Sequence, residues 1–85
     1  MKIIITKEQS LFLKRRIQEI SEFVKLALQE VSPDEYNLYD YIEEICWQVV
    51  DKYKQNFPGN IDEIFNYVKV NYSKEIKNHY LSETN

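Results

Sequence analysis

Apolar and polar residues alternate along this chain in two different rhythms. The first segment, Lys2-Ile3-Ile4-Ile5-Thr6, sets three consecutive β-branched residues between polar neighbours. Such a run fits a pleated, half-buried surface and predicts a strand over 2–5. The period then changes. Leu13, Ile17, Ile20, Val24, Ala27 with Leu28, and Val31 recur at steps of four and three, which is the stripe of an amphipathic helix. Phe12 and Phe23 widen it. Thr6 with Gln9 forms a capping box, and Glu8 suits the positive end of the helix dipole. The expected helix covers about residues 7–31.

Ser32-Pro33-Asp34-Glu35 has the form of a second helix start, with Ser as cap and Pro in the first position. Pro33 also disfavours the α conformation at Ser32, which ends the first helix. A second cap follows at Asn37, three residues before Asp40. A short turn over 33–36 and a helix over 38–55 are therefore expected. Leu38, Ile42, Ile45, Val49 and Tyr53 form the stripe of that helix, broadened by Tyr41, Cys46 and Val50. Phe57-Pro58-Gly59-Asn60 is the strong break in the chain. Asn60 with Glu63 then opens a helix whose stripe is Ile61, Ile64, Phe65, Val68, Tyr72 and Ile76. Residues 67–72 also read as a strand, being β-branched and aromatic. A helix over 61–80 is the favoured reading, with a break near 71–73, where Ser73 caps a separate last helix, as the alternative. The tail from Ser82 is expected to fray.

These elements predict a mostly α fold: a small three- to four-helix bundle with one short N-terminal strand, or an α+β fold if 67–72 pairs with it. A strand leaves backbone N–H and C=O groups in need of partners. Three partners suit Ile3, Ile4 and Ile5: a late strand of the same chain, the same segment of a second copy in a two-fold dimer, or the sheet of another protein.

Length and composition narrow this picture. Eighty-five residues with one Gly and two Pro make a single domain over 1–85, with little room for linkers. Cys46 is the sole cysteine, so no disulfide closes within the chain, in keeping with a reducing compartment. No apolar run approaches the ~18 residues that span a membrane, and charged residues follow Ile5 too soon for a signal peptide. A cytoplasmic location without membrane contact is expected. The net charge of −3 is unevenly spread: residues 26–51 hold seven acids and no base.

Candidate chemistry is sparse. Lys14-Arg15-Arg16 is the one basic cluster and suits phosphate or nucleic acid. Consecutive helical residues point in different directions, however, and Glu19 lies within pairing distance of Arg15 and Arg16 along a helix. A solvated, ion-paired face is the plainer expectation. Asp34, Glu35, Asp40, Glu43, Glu44 and Asp51 have no counter-charge nearby in sequence. They suit a nucleic-acid mimic, a docking surface for a basic partner, or a solubilising face paired in part with the basic first helix. Tyr36, Tyr39 and Tyr41 bracket the second helix start, and Tyr39 falls out of phase with the Leu38–Ile42 stripe, as an exposed contact residue does. Glu75 and His79 sit four apart, where an ion pair is expected rather than a metal site. Cys46 beside Trp47 reads as a buried small hydrophobe. One His, one Cys and one Gly leave no catalytic constellation and no phosphate loop. The expectation is a non-enzymatic protein without metal or cofactor.

KIIIT-x-x-Q, then LKRRI, then the Pro-Asp-Glu-Tyr-Asn turn before YIEEI, resembles a diffuse group of short uncharacterised proteins encoded by tailed bacteriophages. The resemblance covers residues 1–55, and this chain lacks the cysteine that the group carries at the turn. It implies no activity and no site residues. It does imply a virus-encoded accessory protein in a bacterial cytoplasm or a virion. Three functions follow as expectations: a protein-interaction module acting as adaptor or inhibitor of a host protein, a minor virion component, and a nucleic-acid binder using Lys14, Arg15 and Arg16. The candidate interaction surface comprises Ile3, Ile4, Ile5, Lys14, Arg15, Arg16, Tyr36, Tyr39, Asp40, Glu43 and Glu44.

Overall fold

The computed structural model describes residues 7–84. The strand expected at 2–5 and the Thr6 cap lie outside the described residues. Four α-helices follow one another: α1 (Lys7–Arg15), α2 (Ile17–Glu30), α3 (Leu38–Tyr53) and α4 (Ile61–Thr84), with a 3-10 turn at Pro33–Glu35 between α2 and α3. The helical bundle expected from periodicity is what the chain forms.

The first predicted helix is divided. Arg16 leaves the helical region at φ −116° and ψ 14°, and its N–H donates to the Leu13 carbonyl at 3.1 Å. The Phe12 carbonyl, which a straight helix would give to that N–H, instead accepts from Arg16 Nη1 at 3.1 Å. The same guanidinium lies 3.7 Å from the centroid of the Phe12 ring. No Gly or Pro marks the break; tertiary packing makes it. The turn lets Leu13 sink into the core and brings the Phe12 ring edge-on to Tyr53 and Phe57, at centroid distances of 6.2 and 5.3 Å. Aromatic contacts of this kind contribute about 0.5–1.5 kcal/mol each beyond their area, enough to offset a weakened helical turn. The shift in phase turns Ile17 out of the predicted stripe, and it is 50% exposed.

α2 ends where Pro33 requires it. Val31 and Ser32 are extended, and the Ser32 side chain makes no capping bond, contrary to the expected cap. Asn37 does cap α3: its Oδ1 accepts the Asp40 N–H at 2.8 Å. Asn60 likewise starts α4, accepting the Asp62 N–H at 2.9 Å, one position earlier than a capping box places it. α3 stops at Tyr53 rather than 55, and Phe57 pins the following loop to the core.

α4 runs unbroken through 67–72 and on to Thr84. The helical reading wins because Ile64, Val68 and Ile76 all reach the core. A strand would put Val68 and Val70 on one face, yet Val68 is fully buried and Val70 is 80% exposed. Past the expected end at 80, the Ser82 and Thr84 hydroxyls donate back to the His79 and Tyr80 carbonyls, the local bond that Ser and Thr make along a helix. α3 and α4, joined by a short loop, share the largest helix interface. α2 covers their seam with Ile20, Val24, Ala27 and Leu28.

Candidate interaction surface

Three aromatic residues tie the end of α2 to α3 and α4. The Tyr41 hydroxyl reaches the carbonyls of Val31 and Leu28 at 3.0 and 3.3 Å. The Tyr80 hydroxyl donates to the Tyr36 carbonyl at 2.8 Å. Tyr36 is half-buried, its ring 6.1 Å from that of Tyr41, so this sequence candidate belongs to packing within the chain. His79 stacks on Tyr41 with ring planes 10° apart and does not pair with Glu75. The one ion pair among the described residues is Lys54 with Asp51, at 3.2 Å.

The basic cluster does not form one patch. Lys14 and Arg15 are exposed on α1, whereas Arg16 is half-buried over Phe12. Neither arginine pairs with Glu19. The expected pairing of the acidic middle with the basic first helix is likewise not formed among the described residues. Ile3, Ile4 and Ile5 lie outside them.

The remaining candidates share the outer face of α3. Tyr39, 75% exposed, stands one helical turn before Glu43 and two before Trp47, which is 41% exposed. Steps of four keep the three in one row. Asp40, Glu44 and Asp51 border that row. Only two of these acids are engaged by side chains: Glu44 Oε1 accepts from Gln48 Nε2 at 3.0 Å, and Asp51 holds Lys54. From α4, Phe65 packs against Trp47 at 4.8 Å between ring centroids, and Lys69 Nζ lies 5.8 Å from the Phe65 ring. The result is an indole half in solvent on a fixed aromatic support, rimmed by free carboxylates.

Trp47 is the residue that sequence reasoning missed. Its neighbour Cys46 is fully buried, as expected, while Trp47 itself carries no sequence expectation. The spacing Tyr39–Glu43–Trp47, out of phase with Ile42–Ile45–Val49, is the signal that separates them. Burial pushes the Cys46 thiol up to about 12, with Glu43 adding to the rise and Lys69 opposing it, so this sulfur is no nucleophile near neutral pH. Among the described residues no three His, Cys, Asp or Glu side chains gather to hold a metal, and no helix is long and apolar enough to cross a membrane. One cleft of about 420 Å³ is lined by Leu28, Val31, Pro33, His79 and Glu83. Another of about 370 Å³ lies between α1 and the 54–60 loop, lined by Leu11, Phe12, Arg16 and Pro58. No family model, curated protein or solved structure matches this chain.

Proposed function

We propose that the chain is a non-enzymatic, phage-encoded protein-interaction module, an adaptor or inhibitor of a host protein in the bacterial cytoplasm. It docks a basic partner across the outer face of α3. The observation that carries this reading is the half-exposed Trp47, held against Phe65 and flanked by Glu43, Asp40 and Glu44. Tryptophan is enriched among the few residues that dominate interface energies, because a rigid ring buries much area at little entropic cost. The carboxylates of Asp40 and Glu43, which no side chain among the described residues engages, select the partner's chemistry: lysine and arginine side chains, which also bind aromatic faces. The sealed thiol of Cys46 supports a role without catalysis. The resemblance over residues 1–55 supports the viral origin.

The test is a comparative capture from bacterial lysate with immobilised wild type, Trp47→Ala, Glu43→Lys and Val70→Ala. The proposal expects one stoichiometric partner, retained by Val70→Ala and lost from both face variants. Equal recovery on all four proteins, or no specific partner on any, contradicts it.

A further inference from the structure

Independently of that docking face, we propose that α1 and α2 also join into one straight helix over residues 7–30. In that form Phe12 and Leu13 seat against Tyr53 and Phe57 of a second copy, and two chains exchange α1 to form a dimer. Four observations support the exchange. The helical stripe runs through Arg16 with no Gly or Pro to stop it. Within the bend one side chain acts as a clamp, since Arg16 Nη1 takes the carbonyl that a straight helix gives to the Arg16 N–H, while the packing of Phe12 on Tyr53 and Phe57 that sets the bend can equally be supplied by a second copy. α2 begins without a side-chain cap, so straightening gives its first N–H groups the intrahelical partners they lack. Finally, Ile17 is half exposed in the bent form and returns to phase with Leu13 and Ile20 in the straight one.

The seat itself identifies its occupant. It is shaped around this chain's own Phe12 and Leu13, and a second copy supplies the same pair. The contact shown between α1 and this seat is apolar, the Phe12 ring edge-on to Tyr53 and Phe57. The docked contacts are the same in both forms. What differs is the hinge, which favours the straight helix, and the entropy of association, which favours the bent monomer. Exchange of an identical element is a low-cost route to a dimer under these conditions.

Light scattering across a protein concentration series tests this with wild type, Arg16→Ala and Arg16→Gly, each first checked for helicity by circular dichroism. Arg16→Ala removes the clamp and favours helix, so its dimer should form at about tenfold lower concentration than that of wild type. Arg16→Gly removes the clamp but disfavours helix, and should dimerise less than Arg16→Ala. A second readout pairs Leu11→Cys with Pro58→Cys, which line one cleft. With a short bifunctional thiol cross-linker the monomer should join the two positions within one chain, and the dimer between chains. Dimers that cross-link only within a chain overturn the proposal. So does equal dimerisation of Arg16→Ala and Arg16→Gly, or of Arg16→Ala and wild type, and so does the absence of a dimer at every concentration.

Discussion

The Tyr41 hydroxyl, on the first turn of α3, stands 3.0 Å from the backbone carbonyl of Val31, just past the end of α2. The Leu28 carbonyl lies 3.3 Å from the same oxygen. One phenol therefore serves the open end of one helix from the start of the next. Helix C-termini leave their last carbonyls without intrahelical partners, and a buried carbonyl left unpaired is costly.

Tyr41→Phe should lower stability by about 1–2 kcal/mol, the cost of leaving a buried acceptor unpaired. For a domain of this size that is a drop of roughly 4–8 °C in Tm per kcal/mol. Tyr53 supplies the contrast. Its hydroxyl is buried with no hydrogen bond of good geometry among the described residues, beside the Glu19 carboxylate, so Tyr53→Phe removes a poorly met desolvation cost. Its Tm should match or exceed that of wild type. Thermal melts of the two variants check both expectations, and equal losses would contradict the pairing.

Stability should fall in alkali. Burial raises the Cys46 thiol from 9.0 to about 12. Burial first, with nearby Glu83 for Tyr41 and Glu19 for Tyr53, also raises the phenols of Tyr41 and Tyr53 above 10.0. The folded state holds these protons more tightly than the unfolded chain. Its advantage is complete below about pH 9 and is lost as the pH climbs from there towards 12. Urea midpoints between pH 7 and pH 11 should stay level at first and then decline. Cys46→Ala should flatten the start of that decline, and a midpoint independent of pH would contradict the burial argument.

Val68 and Val70 should respond in opposite directions to alanine. Val68→Ala opens a cavity beneath a fully buried side chain and should cost about 2 kcal/mol. Val70 is 80% exposed on the same helix, where alanine is the better helix former, so Val70→Ala should gain up to about 0.5 kcal/mol. Denaturant titration measures both. Comparable losses at the two positions would mean that 67–72 is not helical.

How far the fold was legible in the sequence depends on the kind of interaction that decides each feature. The Asn37 and Asn60 caps and the break at Phe57-Pro58-Gly59 are local effects, and local spacing revealed them. The competition between strand and helix at 67–72 is settled by which residues reach the core, and the spacing of Ile64, Val68 and Ile76 carried that information. The break at Arg16 is different. It exists because Phe12 meets Tyr53 and Phe57, residues some forty positions away, and no local pattern encodes such a contact. The acidic and aromatic row on α3 was half legible. Tyr39, Asp40, Glu43 and Glu44 emerged from phase and charge. Trp47 did not, because a broad apolar face conceals which of its edges a neighbouring helix covers.

Trp47 is the sole tryptophan, so its fluorescence reports directly on the face where docking is proposed. The decisive measurement is a titration of this chain with the purified captured partner, followed by tryptophan-selective emission corrected for the partner's own signal and repeated at low and high salt. Docking across α3 predicts a blue shift as the indole leaves water, and an affinity that falls as salt screens Asp40 and Glu43. Saturable binding that leaves the Trp47 emission unchanged and the affinity indifferent to salt would contradict it.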